Sequence, residues 1–452
     1  MIHSVGEDLT KGLSYKAVKV SVGIVGCGVV GTGTVKLLLT NREILRKKTG
    51  IDFQLTKVAD LNWERKREFE VPEELRTTDY REVIESCDIV VELVGGKEFA
   101  KKLMLEALES GRHVVTANKH LLALDGEEIF LKAQEKGLRV GFEASVGGGI
   151  PVIKALREGL VGNRIETIYG ILNGTTNYIL TRMFEENLDF ESALREASEK
   201  GYAEADPSLD IDGWDAAHKI NILASLAFGR YFPFEEVHVE GIRNIQKLDV
   251  ELGKELGYTL KLLAIAKRFD GEAEVRVHPT FIHSEEALAK VSGVYNAVMI
   301  EGDFVGKTMF YGQGAGSLPT ASAVVSDIVD AGIAIVSGNG GEVTPVDWES
   351  EPVKVRRNFF SRYYLRFDVP DKPGVLAAIS RVLADFNISI AAVLQKEMVC
   401  QLAGKRGEPV VPLVILTHKA YEQDVQSALK EIRELPVVVG EPVLIRVEEE
   451  AE

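Results

Sequence analysis

The sequence predicts an α/β chain in three successive parts, and three observations carry that reading. Apolar strands alternate with helices from residue 18 to about 150; the alternation is lost from 151 to 319; residues 362–448 run strand, helix, strand, strand, helix, strand. At 452 residues the chain exceeds one ordinary core, which favours roughly two to four domains. The composition is globular, 45% hydrophobic and 27% charged, so apolar burial suffices without disulfides or a structural metal.

The formal net charge of −16 argues against sequence-independent nucleic-acid binding, which relies on clustered Lys and Arg. It does not exclude an anionic cofactor held by backbone N–H groups. Cys27, Cys87 and Cys400 are far apart and form no Cys-x-x-Cys, so neither a disulfide framework nor a zinc site is expected. Met1–Lys19 has no basic stretch followed by an apolar one, and no apolar run reads as long enough to cross a bilayer. Reduced thiols, a cytoplasmic location and no membrane partner are the expectation.

Residues 18–25 read as a buried strand, followed by a Gly-rich turn and one long helix to about Lys48. Strands at 53–60, 88–94, 113–117 and 138–143 then alternate with helices at 97–110 and 124–136. Near-continuous apolar strands separated by helices imply a parallel sheet covered on both faces. Gly147-Gly148-Gly149-Ile150-Pro151 reads as a flexible connection ending at a helix start. Residues 320–337 read as a helix and a short apolar strand that complete the first domain, and 341–361 as a Gly-, Pro- and charge-rich linker. The order over 362–448 is ferredoxin-like, βαββαβ.

Gly26-Cys27-Gly28-Val29-Val30-Gly31 is a GxGxxG that follows a strand and opens a helix. The glycines permit a tight turn, approach of backbone to a pyrophosphate, and close helix-to-strand packing, and the helix N-terminus favours phosphate. In this context the motif makes 18–150 a Rossmann-type dinucleotide-binding domain, with Gly26, Gly28, Val29, Val30 and Gly31 at the cofactor. Asp60 closes the second strand, where an acid would accept from a ribose 2′-OH and repel a 2′-phosphate. Lys57, Arg65, Lys66 and Arg67 lie near it, so the sequence leans to NAD and leaves NADP open. Cys27 fills a variable slot of the turn and is read as packing.

The segment from Ala197 to Lys219 is the most informative in the chain. Asp206-Pro207 favours a turn, Asp212 suits a helix N-cap, and Gly229 suits its stop. Asp215 and Lys219 are four apart and share one helix face; alone, they would be an ordinary surface pair worth ~0.3–0.5 kcal/mol. The acids upstream (Glu204, Asp206, Asp210, Asp212) sit on a loop, where such a cluster suits recognition of a cationic amino group.

This segment resembles the homoserine dehydrogenase signature at every defined position: Ala197, Gly201, Glu204, Asp206-Pro207, Asp210, Gly213, Asp215 and Lys219. Asp88-Ile-Val-Val-Glu-Leu-Val-Gly95-Gly96, Val114-Val-Thr-Ala-Asn-Lys119, Glu143-Ala-Ser-Val-Gly-Gly-Gly-Ile-Pro151, Asn173-Gly-Thr-Thr-Asn177 and Tyr311-Gly-Gln-Gly-Ala-Gly-Ser-Leu-Pro-Thr320 resemble the same family, from about residue 18 to 340. The resemblance implies an NAD- or NADP-dependent interconversion of L-homoserine and L-aspartate 4-semialdehyde, with an α+β substrate-binding and dimerisation domain at 151–319. It implies that Lys219 transfers the proton, that Lys119 serves nicotinamide and substrate, and that Gly95 and Gly316 lie at the cofactor. Glu204, Asp210 and Asp215 would hold the ammonium or orient Lys219, with Gly201 offering backbone. Glu143 and the carbonyls of Val146, Gly148 and Ile150 would hold a monovalent cation, Na or K. A homodimer or homotetramer is implied as well.

Tyr363-Tyr-Leu-Arg-Phe-Asp-Val-Pro-Asp-Lys-Pro-Gly374 and Asn387-Ile-Ser-Ile-Ala-Ala-Val-Leu-Gln395 resemble the first two strands of an ACT domain, placed at 362–448. The resemblance implies an amino-acid effector, with threonine the hypothesis, at Asp371 and Gly374; an assembly module without a ligand is the alternative. Two other readings of the whole chain stand beside this one. A different amino-acid dehydrogenase on the same scaffold would not turn over homoserine, and a sensor without chemistry would not need Lys119, Asp215 and Lys219.

Overall fold

The computed structural model describes residues 17–339, 346–348, 350–395 and 410–449. Cys400, residues 1–16 of the N-terminal stretch, and residues 341–345 and 349 of the expected linker lie outside them. The chain forms two compact units, Met1–Ser145 with Gly316–Thr344, and Val146–Ala315 with Pro345–Glu452.

In the first unit, β1 (Val18–Val25), β2 (Ile51–Ala59), β3 (Arg76–Thr77), β4 (Ile89–Glu92), β5 (His113–Thr116) and β6 (Val140–Gly141) form one sheet in the order β3-β2-β1-β4-β5-β6. Every pairing in it is parallel. The order reverses between β1 and β4, which opens a crevice at the strands' carboxyl ends. The sheet is apolar because both faces are covered: Val20, Val22 and Ile24 of β1 are fully buried, as are Ile89 and Val91 of β4.

Helix boundaries depart from expectation in three places. The first helix is two, Val29–Thr40 and Arg42–Thr49, meeting at Asn41; the second has no buried residue and rests on the core through the partly buried Leu45. The helix expected at 124–136 is preceded by a short helical stretch from Lys119, with a break at Asp125 (φ −134°, ψ 19°), and runs on to Lys136. The apolar stretch read as helix plus strand is one helix, Ser317–Ser337, stopped by Gly338 at φ 69°. Its buried Ala321, Val324, Ile328 and Ala331 recur at helical spacing, which a short apolar run cannot reveal. By length and composition this helix could cross a membrane, contrary to the sequence expectation, yet 56% of its apolar window is buried inside the fold. It packs closely: a Cβ on Gly33 would lie 2.7 Å from the Ser317 carbonyl oxygen.

In the second unit, the strands are β7 (Ile165–Ile171), β8 (His238–Val239), β9 (Tyr258–Phe269), β10 (Glu272–His283), β11 (Tyr295–Gly302), β12 (Gly306–Gln313), β13 (Lys354–Val355), β14 (Phe360–Pro370), β15 (Ile390–Gln395), β16 (Val410–Thr417), β17 (Ala420–Tyr421) and β18 (Val439–Glu448). They belong to a single sheet whose main path is β12-β11-β7-β9-β10-β18-β14-β16-β15, with β8 and β13 beside β10 and β17 beside β14. With helices Val375–Asp385 and Glu422–Arg433, the last strands complete the expected βαββαβ order. The sequence could not reveal that β18 also pairs in parallel with β10, placing Arg446 opposite Thr280 and Glu448 opposite Ile282.

Three arginines are fully buried where these strands meet: Arg276, Arg366 and Arg446. Arg366 Nε donates to Asp249 at 2.6 Å and its Nη1 to Asp368 at 2.9 Å. Glu448 accepts from Arg276 at 3.0 Å, from the Tyr169 hydroxyl at 2.9 Å, and from Lys267. Removing one partner of such a buried pair costs about 3–5 kcal/mol. Burial would raise the Glu448 carboxyl, but Arg276 and Lys267 hold it at about 2, against an ordinary 4.5. Because the folded-state value is depressed, the stabilisation is complete above pH 4.5 and is lost as pH falls toward 2. Urea denaturation from neutral pH to about pH 3 therefore shows wild type losing stability through that window. Glu448→Gln is less stable at neutral pH and flatter with pH; an unchanged pH slope would contradict the assignment.

Candidate active site

The first unit carries all the expected cofactor residues. The three glycines of the turn have distinct reasons. Gly26 has φ 99°, and a Cβ there would lie 2.5 Å from Leu93 backbone. A Cβ on Gly31 would lie 2.1 Å from the Gly26 carbonyl oxygen, so helix and strand can approach only without it. A Cβ on Gly28 would meet nothing within 4 Å, because Gly28 faces an open pocket. That pocket measures about 790 Å³ and is lined by Gly26, Gly28, Asp60, Arg65, Arg81 and Phe99 among others. Val29 and Val30 open the helix without a side-chain cap, leaving its first N–H groups for phosphate oxygens. A dinucleotide therefore fits this loop.

Asp60 follows β2 and shapes the loop from inside. Its carboxylate accepts from Cys27 N–H and from Asn62 N–H, both at 2.8 Å, and pairs with Arg67 at 3.3 Å. Burial alone would raise it; these N–H groups and Arg67 hold it below its usual range. Arg67 is not available for a phosphate: it donates to the carbonyls of Cys27 and Asn62 and stacks 4.7 Å above Trp63. Arg65 lines the pocket, and Lys66 lines a smaller one beside Cys27. Burial pushes the Cys27 thiol up, in keeping with packing and not with a nucleophile.

Sequence reading assigned no role to Glu92, which is fully buried at the end of β4. It accepts from Val94 and Gly95 N–H at 2.9 and 3.1 Å and from the Thr116 hydroxyl at 2.7 Å. Asn118 in turn donates to the Gly96 carbonyl at 2.7 Å and caps the helix that opens at Lys119. One buried carboxylate thus joins the two loops that carry Gly95 and Lys119. Gly316, at φ 122°, is the N-cap of the helix Ser317–Ser337.

The second unit carries the carboxylates and Lys219. The expected N-cap Asp212 does not cap: Gly213, at φ 87°, precedes the helix Trp214–Phe228, and Asp212 pairs with Arg243. A left-handed start requires glycine, which displaces the cap by one residue. Asp215 and Lys219 are not a surface pair. They are 7% and 8% exposed, and Lys219 Nζ donates to Asp215 Oδ2 and to the Leu172 carbonyl, each at 2.7 Å. Asn173 donates to Asp210 at 2.7 Å and to Asp215 at 2.9 Å while its own oxygen caps the helix Gly174–Glu185. Burial, then the neighbouring Asp215 charge, raises the Asp210 carboxyl. Gly201 has φ 73° and Glu204 is exposed. Asn173 and the Leu172 carbonyl were missed, although an Asn before a helical Gly-Thr-Thr is a recognisable cap signal.

Glu143 belongs to the first unit, is 2% exposed, and donates its N–H to Asp327 at 2.8 Å. Val146, Gly148 and Ile150 belong to the second, where Gly147 and Gly148 both have positive φ. A Cβ on Gly148 would lie 2.6 Å from Gly314 backbone. Among the described residues, no group of three His, Cys, Asp or Glu could hold a metal ion. In the C-terminal strands, Asp371 accepts from Gln395 at 3.2 Å, and Gly374, at φ 92°, caps the helix Val375–Asp385.

A glycine crevice for a dinucleotide, with a buried lysine among carboxylates, defines a nicotinamide-dependent oxidoreductase. Residues 26–143 match the NAD-binding domain of homoserine dehydrogenase, 151–329 the homoserine dehydrogenase family, and 363–437 the ACT domain. The homoserine dehydrogenase of Pseudomonas aeruginosa is 43% identical over 95% of this chain and 99% of its own. A crystal structure of a homoserine dehydrogenase from Thiobacillus denitrificans is 43% identical, with TM-score 0.87 over 95% of this chain and 98% of that one. A hyperthermophilic archaeal homoserine dehydrogenase in complex with NADPH is 28% identical, with TM-score 0.58 over 70% and 98%. The chain belongs to the homoserine dehydrogenase family. It is an NAD(P)-dependent oxidoreductase that interconverts homoserine and aspartate 4-semialdehyde, and it carries an ACT domain.

Asn173 has two separable duties, and two variants part them. Asn173→Ala loses both cap and donor and costs about 1–3 kcal/mol. Asn173→Asp keeps the cap but sets a third carboxylate against Asp210 and Asp215. In thermal unfolding at neutral pH, Asn173→Asp melts below Asn173→Ala; the reverse order would reduce Asn173 to a cap.

Proposed function

We propose that Lys219, as the ammonium, gives a proton to the aldehyde oxygen of aspartate 4-semialdehyde and, as the amine, takes it back from the terminal hydroxyl of homoserine. The observation that carries this reading is its buried pairing: two N–H groups go to Asp215 and Leu172, and an ammonium has three. The third is left for substrate. A nicotinamide held at the glycine turn would supply hydride exchange with C4 of the substrate. Glu204, Asp210 and Asp215 hold the substrate ammonium, with backbone at Gly201, and Lys119 serves at the nicotinamide end.

NADP is the favoured cofactor in this reading, although the sequence leaned to NAD. Asp60 is engaged by two N–H groups and Arg67, which weakens its repulsion of a 2′-phosphate, while Arg65 and Arg81 line the same pocket. A carboxylate with backbone carbonyls is a hard oxygen set, which suits Na or K at Glu143, Val146, Gly148 and Ile150. Threonine is the proposed effector at Asp371 and Gly374. The exposed end strands β12 and β15 support a homodimer or homotetramer, and the buried, free Cys27 and Cys87 support a cytoplasmic enzyme.

Absorbance at 340 nm, with homoserine and each cofactor at alkaline pH, tests the reading. Homoserine-dependent reduction is faster with NADP and is inhibited by threonine; preference for NAD or indifference to threonine would overturn the respective assignment. The kcat/KM for homoserine falls with acid as Asp210 gains its proton, at a pH above the ordinary 3.8 of an aspartate. Asp210→Asn lowers kcat/KM and removes that acid limb; an unchanged limb would exclude Asp210 from substrate binding.

A further inference from the structure

A second set of charges lies behind the substrate carboxylates. Arg446 of β18 is fully buried and grips Glu240 with both terminal guanidinium nitrogens, Nη1 to Oε2 at 2.6 Å and Nη2 to Oε1 at 2.7 Å. Arg446 is already matched by Glu422 on the helix Glu422–Arg433, through Nε at 3.1 Å. A single arginine balances one carboxylate, so a bidentate grip on a second, whose side chain is 35% exposed, needs a reason. Burial would raise the Glu240 carboxyl, but hydrogen bonding with His238 and the Arg446 charge hold it at about 2.

What Glu240 adjoins supplies that reason. Its N–H donates to the Val277 carbonyl at 2.8 Å, fixing its backbone to β10. The next residue, Gly241, lies so close to the substrate turn that a Cβ would be 2.2 Å from the Ile211 carbonyl oxygen and 2.5 Å from Asp212 Cα. Ile242 N–H then donates to the same Ile211 carbonyl at 2.8 Å. From the other side, a Cβ on Gly213 would lie 3.3 Å from the Glu240 carbonyl oxygen. The turn clamped in this way carries Asp210 at one end and leads to Asp215 at the other.

We propose that Glu240 and Arg446 are positioning residues for homoserine, through which the last strand of the ACT part sets the Asp210–Asp215 turn. The inference rests on the reading of Asp210 and Asp215 as the carboxylates that hold the substrate ammonium. Neither residue touches substrate in this arrangement. The clasp acts on where the carboxylates stand, so it governs homoserine binding and leaves proton transfer and cofactor binding alone.

The test uses the full-length enzyme and measures KM for homoserine, kcat, cofactor Kd by fluorescence, and melting temperature. Glu240→Gln keeps the shape and removes the charge; Arg446→Lys keeps the charge and removes the bidentate grip. Each raises KM for homoserine about tenfold, with kcat and cofactor Kd within about twofold, and Glu240→Asp recovers a substantial part of the loss. A purely structural clasp would lower melting temperature in these variants without moving KM, and that result would overturn the proposal. Asp210→Asn is measured alongside. If it raises KM while Glu240→Gln and Arg446→Lys do not, the clasp fails and the carboxylate reading survives. If it leaves KM unchanged, the carboxylate reading itself fails.

Discussion

An ammonium removed from water must be paired and hydrogen-bonded, or it loses its proton or unfolds its surroundings. Lys219 meets that demand with Asp215 and the Leu172 carbonyl, and much of the second unit follows. Leu172 sits just after β7, so the carbonyl is fixed by a central strand of the large sheet. Asn173 comes next, and its amide bridges Asp210 and Asp215 while its oxygen starts a helix. The helix carrying Asp215 and Lys219 buries most of its length, which keeps their four-residue spacing rigid. Strand end and buried helix meet at the Lys219 nitrogen, and the cap residue Asn173 holds Asp215 beside it.

The first unit solves a different problem, that of bringing backbone against phosphate. Here the decisive groups are absent side chains at Gly26, Gly28 and Gly31. Two carboxylates, one partly and one fully buried, hold the loops that result: Asp60 accepts from Cys27 N–H, and Glu92 accepts from Gly95 N–H. Each acts on backbone; the position of Asp60 at the end of a strand marks it in the sequence, whereas no pattern in polarity or periodicity singles out Glu92.

This difference explains how much was legible in the sequence. The glycine turn, the parallel sheet and the βαββαβ order follow from local spacing and were read correctly. Asp215 and Lys219 could be placed on one helix face, but their burial could not be foreseen, because polar residues four apart look alike inside and outside a fold. Asp212 was read as a cap because its type suits one; Gly213 took the position through its left-handed φ, and Asp212 turned to Arg243. The junction of β18 with β10 joins residues far apart in sequence, so nothing local marks Arg276, Arg446 and Glu448 as buried until the strands are paired. The stretch at 320–337 shows the same limit at short range, since an apolar run of small residues fits strand and helix equally.

On the proposed reading Lys219 takes the proton of homoserine as the amine, returns it as the ammonium, and does nothing for cofactor binding. The most direct measurement is kcat for homoserine oxidation by Lys219→Ala, beside its Kd for the dinucleotide. The account predicts a kcat lower by ~10²–10⁴-fold with Kd unchanged and the protein folded. Near-wild-type turnover in a folded Lys219→Ala enzyme would contradict it.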